Sequence, residues 1–538
     1  MRTFGLENVK AFANTGDIEL APITIIVGQN SCGKSSFIRF PVVLSQSNHD
    51  NLLSLCLHAD REGVIDYGNY EDVLHNHKGQ SFSCRMSFSI RRQLTDENVV
   101  IPIDFFRDFD IETIHLRLTY SKKQDTGILS CVKYDVDIDG KPAFSFEWLN
   151  DYSWLFTQKV SFVGEKPIAI EEKAFKINIA NRIFQDDRAF ILYEQDNAGI
   201  IEAILKTELT DSDEHSLYKL ACEISNDSFG GYPDDDPLTG HNKTYANKIH
   251  KCLCGFSQLK RNNIVSAVND FSTLYKMKQH IDKLCKQEIE RIHYIGPFRK
   301  NPERIYRRDE VTVRDVGKGG ENTSKLLIND AIRGSGIIEE VSSWYKQAMG
   351  IEVQLISLGH EYYQIQFNEL EKQIASNIMD VGFGVSQVLP IVSQIAEARI
   401  RAREHSLQDI DETYIIEQPE LHLHPAAQSK LADLFAEGVA GDAKYYNKFV
   451  IETHSEHLIR ALQIKIADPN CALSNQSVKF YYVDKEKDGS VIKEMKTNEY
   501  GQFVQRWPKG FFDEAHLKSR ELMNAIAERE NMKEARYD

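Results

Sequence analysis

The apolar run Ile23-Thr24-Ile25-Ile26-Val27 ends directly in Gly28-Gln29-Asn30-Ser31-Cys32-Gly33-Lys34-Ser35. The second segment is a complete G-x-x-x-x-G-K-[ST]. Chance would place that pattern in roughly one in fifty chains of this length at average residue frequencies. A continuous β-branched run predicts a strand buried on both faces. Phe37 and Ile38 open an apolar helix just beyond the loop. Glycines let backbone N–H groups converge on phosphate oxygens, and the helix N-terminus adds positive potential. Lys34 is placed to reach β- and γ-phosphates and Ser35 to ligate Mg²⁺. Gly28, Asn30, Ser31, Gly33, Lys34, Ser35 and Ser36 are therefore the candidate nucleotide-binding residues.

Three further segments carry chemistry. In Thr413-Tyr414-Ile415-Ile416-Glu417-Gln418-Pro419-Glu420-Leu421-His422-Leu423-His424-Pro425 an apolar strand ends in carboxylates. Carboxylates at the C-terminal end of a strand beside a phosphate loop can hold Mg²⁺ and orient an attacking water. His422 and His424 alone would fit a metal site, but no ligand cluster lies nearby in the sequence and Pro425 fits a turn. Lys448-Phe449-Val450-Ile451-Glu452-Thr453-His454-Ser455 is another buried strand, and it delivers His454 to the same sheet edge. That histidine reads either as a core residue or as a γ-phosphate contact, and the neighbouring motifs favour the second. Asp380-Val381-Gly382-Phe383-Gly384-Val385-Ser386-Gln387 precedes an apolar helix and reads as a second backbone-rich anion cradle. Pro390 is expected in that helix's first turn, where a missing N–H costs nothing.

The rest of the chain bounds these readings. Hydrophobic residues make up 42% and charged residues 27%, a globular composition. The net charge of −16 excludes a general nucleic-acid coating protein, so any DNA contact must come from a local basic patch. Arg299, Lys300, Arg304, Arg307 and Arg308 form such a stretch, readable as a phosphate contact or as a solvated face. No apolar run approaches a bilayer span, and the start shows no signal-peptide pattern. The nine cysteines include one close pair, Cys252 and Cys254, whose spacing fits neither zinc nor thioredoxin chemistry. The expectation is a reduced, cytoplasmic protein without structural metal or membrane contact.

Short alternating runs over 80–165 predict antiparallel strands, and the acidic stretch 207–241 predicts a surface loop. Ile264, Val268, Phe271, Leu274, Ile281, Leu284 and Ile289 recur at helical spacing, as in a helical hairpin, a short coiled coil or a core-covering helix. Strands at Thr413–Ile416, Phe449–Ile451 and Val478–Val483 alternate with helical patterns, which predicts a parallel sheet.

The motif order (P-loop, glycine-serine loop, acidic strand end, strand-end histidine) resembles that of ABC-type ATPase heads. Within them the chain is similar to the SMC/RecF-like group and its OLD-like members from bacterial defence systems. FGLENVKAF, RIHYIGPFRKNPERIY, VGKGGENTSKLL, DVGFGVSQVLPIV and IEQPELHLHP carry the resemblance over roughly residues 1–80 and 290–480. The tail EYGQFVQRWPKGFFDEA resembles an extension of stand-alone members. The resemblance implies an α/β, ABC-type P-loop head with an inserted β-rich and helical region. The implied blocks are 1–95 (head), 96–290 (insertion), 291–480 (head) and 481–538 (extension).

The resemblance also implies site roles. Lys34 and Ser35 would bind phosphate and Mg²⁺, and Gln46 would be a Q-loop residue reaching the metal. Glu417 would be the Walker B acid and metal ligand, and His454 the switch histidine. Gly382, Gly384 and Ser386, in the signature loop, would face a nucleotide held by a second copy in a head-to-head dimer. Two departures stand out. Gln418 occupies the position of a water-polarising glutamate and cannot act as a base, leaving Glu420 as a substitute. Gly382 occupies the signature serine position. Both favour slow turnover.

The 84 residues after His454 contain no Toprim-like D-x-D, Asp484-Lys485-Glu486-Lys487-Asp488 reads as a charged turn, and no HNH-like His/Asn/Cys cluster appears. The resemblance therefore implies an ATP- and Mg²⁺-dependent regulatory ATPase acting with a separate HNH-type nuclease, as in Septu systems and in some retrons with their reverse transcriptase and msDNA. The other reading is a DNA-repair or recombination clamp that binds DNA itself. A small-molecule kinase would have no use for signature and switch motifs.

Overall fold

The computed structural model describes residues 1–47, 54–58, 64–90, 106, 111–122, 129–150, 153–163, 166–178, 204–206, 257–309, 311–359, 361–404, 412–439, 447–508, 518 and 520–526. The acidic stretch 207–241 and the Cys252/Cys254 pair lie outside the described residues. The chain forms two compact units, residues 1–9 with 43–290 and residues 10–42 with 291–538.

The first unit is built on an antiparallel sheet. Its strands are β1 (Thr3–Val9), β5 (Phe82–Ser89), β6 (Thr113–Lys122), β7 (Leu129–Ile138), β8 (Lys141–Asn150), β9 (Ser153–Val163) and β10 (Lys166–Asn178), in the order β10-β9-β8-β7-β6-β5-β1. Alternate residues of β6 are buried (Ile114, Leu116, Leu118, Tyr120), as period-2 patterning requires. A short helix, α2 (Tyr70–Val73), precedes β5. The helical period seen in the sequence becomes one unbroken helix, α3 (Gln258–Glu290), with all seven expected apolar positions buried. It covers the sheet. Phe271 meets Phe156 edge-on at 5.0 Å, and Asp270 accepts from Gln158 Nε2 and Ser161 Oγ. Of the three sequence readings, the core-covering helix is the one observed.

The second unit holds the phosphate loop. Its main sheet runs β11 (Ile292–Ile295), β16 (Thr413–Glu417), β17 (Lys448–Glu452), β4 (Ile23–Gly28), β18 (Val478–Glu486), β19 (Gly489–Glu494). The first five are parallel and β19 returns antiparallel. β4 is buried at every residue and has strands on both sides, which explains its uninterrupted apolar sequence. The charged 484–488 segment is the end of the β18–β19 hairpin. Two short strands, β2 (Phe12–Asn14) and β3 (Ile18–Glu19), precede β4. An antiparallel layer contains β12 (Tyr306–Arg307), β13 (Ile351–Gly359), β14 (Tyr362–Glu369) and β15 (Ile374–Asn377).

The helices here are α1 (Lys34–Ser47), α4 (Thr323–Arg333), α5 (Ile337–Met349), α6 (Phe383–Glu404), α7 (Pro425–Val439) and α8 (Glu456–Ala467). Leu431, Phe435, Leu458 and Leu462 join Ile25, Ile416 and Phe449 in one continuous core. Pro390 departs from expectation. α6 already begins at Phe383, so the proline lies inside the helix. Gly320 makes room for its ring: a Cβ there would sit 2.4 Å from Pro390 Cγ.

Candidate nucleotide site

Parallel α/β sheets bind ligands beyond the carboxyl ends of their strands. Here β4, β16 and β17 end in Gly28, Glu417 and Glu452. The loop after β4 turns sharply at Gly33, with φ of 99°. An added Cβ there would fall 2.7 Å from Ala11 Cβ and 2.9 Å from the Phe12 ring, so only glycine fits. Lys34 is buried, and its Nζ donates to the carbonyls of Gln29 at 2.8 Å and Gly28 at 3.2 Å. Asn30 and Ser31 are exposed at the loop tip, and Ser36 is half-buried one step along the helix.

Ser35 Oγ donates to Glu452 Oε2 at 2.7 Å, and Lys34 Nζ lies 3.8 Å from Glu452 Oε1. Burial pushes the Glu452 carboxyl up to about 6, and the nearby Glu417 charge pushes the same way. Glu417 is differently placed. Arg39 forks onto it through Nε to Oε1 and Nη2 to Oε2, both at 2.6 Å, and the Tyr294 hydroxyl donates to Oε1 at 2.7 Å. Sequence reasoning missed Arg39, Tyr294 and Glu452. An available signal was the repeated pattern of an apolar strand ending in glutamate, once at Glu417 and again at Glu452.

Gln418 adopts a left-handed conformation, φ 46°. Its N–H donates to the Glu452 carbonyl at 2.7 Å, and Arg299 Nη2 donates to the carbonyls of Glu417 and Gln418 at 3.1 and 3.2 Å. Glu420 Oε1 accepts the His454 N–H at 2.7 Å. Its Oε2 has no partner among the described residues, and burial raises its pKa. Burial and the Lys34 charge push the His454 imidazole down to about 4, so it is neutral at pH 7. Glu417, Gln418, Glu420 and His454 thus gather at the strand ends beside the P-loop.

Other expected residues are placed differently. Gln46 belongs to the first unit, and its amide is engaged at both ends: Nε2 donates to the Cys56 and Ile65 carbonyls, and Oε1 accepts from the Val64 and Ile65 N–H groups. It ties the backbone at Cys56 to that at Val64 and Ile65. Ser386 is buried and donates to Phe383 O at 3.0 Å, so its hydroxyl is turned into its own helix. Gly384 packs against the His422 backbone, where a Cβ would lie 2.1 Å from the carbonyl oxygen. Gly382 has open space around it.

His424 caps α7, its carbonyl accepting from Ala427 and Gln428. Among the described residues no group of His, Cys, Asp and Glu is arranged to hold a metal by itself. The basic stretch divides between buried and exposed positions. Arg299 is only 7% exposed, and Lys300, Arg304 and Arg307 are paired with Glu303, Asp380 and Glu361. Lys300, Arg304, Arg307 and Arg308 remain exposed.

The glycine-shaped loop, its buried lysine, and the hard oxygens of Ser35 and two carboxylates fit a nucleotide with Mg²⁺, a cation that takes one or two carboxylates plus phosphate oxygens. The site and sheet define a P-loop ATPase of mixed α/β fold. Residues 1–459 match the family described as an AAA ATPase domain, and the chain belongs to that family. Residues 473–522 match a family described as a protein of unknown function (DUF3696). No curated protein matches the chain. Among solved structures, the Smc head domain with an extended coiled coil bound to the C-terminal domain of ScpA, from Pyrococcus furiosus, is similar at 12% identity. The match covers 92% of this chain and 96% of that one, with a TM-score of 0.37. The SMC head domain from Thermotoga maritima is similar at 10% identity, over 92% and 100% of the two chains, with a TM-score of 0.34. No helix among the described residues is long and apolar enough to cross a membrane.

Proposed function

We propose that the chain is a slowly hydrolysing, ATP-gated regulatory subunit that controls a separately encoded HNH-type nuclease in antiphage defence of the Septu or HNH-retron kind. The observation that carries the reading is Gln418. An amide stands where water would be activated, and its backbone is fixed by Arg299 and Glu452. An amide cannot accept a proton from water. Lys34 and Ser35 hold the phosphates and Mg²⁺, His454 meets the γ-phosphate as a neutral imidazole, and Glu420 is the remaining carboxylate that can take the proton. Mg²⁺·ATP, when bound, supplies the phosphoryl group and neutralises its developing charge. Two heads close on ATP through the loop at Gly382, and closure moves the surfaces that carry the nuclease.

Turnover by the purified chain is expected well below about 1 per second, the low end of common enzyme rates. Gln418→Glu is expected to raise it about tenfold or more. Co-expression with the neighbouring nuclease should give a complex whose DNA cleavage responds to ATP. Wild-type turnover of tens per second, or metal-dependent DNA cleavage by the isolated chain that a point mutation within it abolishes, would sink the reading.

A further inference from the structure

Three arginines of the second unit line one cavity of about 130 Å³, away from the phosphate loop. Arg314 comes from the segment before α4, Arg333 from the last turn of α4 and Arg401 from the last turn of α6. We propose that this cavity is a binding site for inorganic phosphate, separate from the nucleotide site. Arg401 forks onto Glu412, just before β16, whereas Glu417 ends that strand. Five residue steps of about 3.3 Å put roughly 16 Å between the two glutamates.

The first reason is unmatched charge. Arg304, Arg307, Arg399 and Arg403 each pair with a carboxylate. Arg314 and Arg333 pair with none among the described residues. Arg333 is nonetheless held in place, its Nη2 donating to Thr312 Oγ1 at 2.9 Å. Asp330 also lines the cavity, but its oxygens already accept from Ser335 Oγ and from the N–H groups of Ile337 and Ile338. Two guanidiniums are thus left to meet an anion, and their planar forks of donors suit phosphate oxygens. Size narrows the class, because sites for drug-sized ligands run to about 300–1,000 Å³. This cavity has room for a small oxyanion.

The second reason is an acceptor in the same wall. Glu397 is buried there, and Arg401 Nη2 and Gln394 Nε2 reach its Oε2 at 3.1 and 3.5 Å. Burial and the Glu412 charge oppose its ionisation while Arg401, His293 and Arg314 favour it, leaving its pKa at about 7. At pH 8 it is an ionised acceptor. Hydrogen phosphate carries a proton that such a carboxylate can accept in a hydrogen bond. Sulfate has no proton to donate, so it would set an unpaired oxygen against a buried carboxylate. Guanidiniums beside a buried carboxylate therefore select phosphate over sulfate.

The test is calorimetric titration of the full chain with sodium phosphate or sodium sulfate at pH 8 and fixed ionic strength. Each titration is run with and without saturating Mg²⁺·ADP, so that an anion held at the P-loop is recognised by its loss. One phosphate per chain is expected to bind in both conditions, at least about tenfold more tightly than sulfate. Arg314→Gln and Arg333→Gln, both at exposed positions, should each weaken phosphate by about tenfold or more. Glu397→Gln should bring sulfate up towards phosphate. Arg403→Gln removes an exposed arginine of the same helix that faces Glu340 instead, and should leave the affinity within about twofold. Absence of phosphate binding in the presence of Mg²⁺·ADP, equal affinity for sulfate in the wild type, or equal weakening by Arg403→Gln overturns the proposal.

Discussion

The two ends of β16 and its neighbours carry carboxylates in opposite electrical states. At the N-terminal end Glu412 is surrounded by cations and donors. His293 Nε2 lies 3.0 Å away, Arg401 forks onto it, and the Tyr414 hydroxyl donates at 2.7 Å. Burial alone would raise its pKa, but these partners outweigh burial and hold it near 2. At the C-terminal end Glu452 is equally buried and is pushed up to about 6, and Glu420 is raised as well. A buried charge with a full set of partners serves the fold. A buried charge left short of them is kept for something that arrives later. Burial therefore does not separate structural from functional carboxylates in this sheet; the supply of partners does.

The largest test removes the satisfied end. Glu412→Gln takes from the His293 and Arg401 cations the anion they share, leaving them Asp315 and Glu397, and breaking such a buried pair costs up to about 3–5 kcal/mol. Chemical denaturation should show that loss, while ADP affinity, set at the other end of the strands, stays within about twofold. A collapse of ADP affinity in a variant that remains folded would show the two ends to be one coupled network.

A smaller test uses pH. Burial opposes the charged form of His293, but its bonds to Asp315 and Glu412 prevail and lift it to about 9. A pKa raised on folding stabilises fully below the unfolded value of about 6.5 and fades as pH rises through about 9. Wild-type stability should fall by about 2 kcal/mol between pH 6.5 and 9.5, and His293→Gln should flatten that slope. An unchanged slope in the variant would remove His293 from the account of the satisfied end.

How much of this was legible in the sequence follows from what is local. The P-loop, the buried β4 strand and the 258–290 helix are contiguous, and their residue patterns announce them. Glu417 stands out because a proline and a second glutamate, Glu420, follow it. Glu452 does not, since it reads as the last residue of an apolar strand until strand order sets β17 beside β4. Arg39 shows only a polar position on α1, and nothing local says that it reaches Glu417. Arg299 looks like part of a basic surface because its neighbours are charged, but the carbonyls of Glu417 and Gln418 draw it inside. Gln46 lies at the right distance along the chain from the P-loop, yet the backbone groups of Cys56, Val64 and Ile65 claim its amide. Pairing across more than a hundred residues decides these positions except Gln46, whose partners lie 10 to 19 residues away.

The smallest effect is also the sharpest test of the contrast. Without nucleotide or metal, Glu452 holds a charge that its surroundings do not fully neutralise. Its folded pKa of about 6 lies above the ordinary glutamate value, so the native state binds extra protons between about 4.5 and 6. Stability therefore falls as pH rises through that window, and the full cost of the carboxylate is present above it. Glu452→Gln keeps the Ser35 bond and removes the charge. It should raise stability by about 1–2 kcal/mol at pH 8 and make no difference near pH 4, with chelator present in both measurements. The same change at Glu412 destabilises. If Glu452→Gln destabilises at pH 8 to the degree that Glu412→Gln does, Glu452 is a fully satisfied structural carboxylate, and the asymmetry between the two ends of the sheet does not mark the functional one.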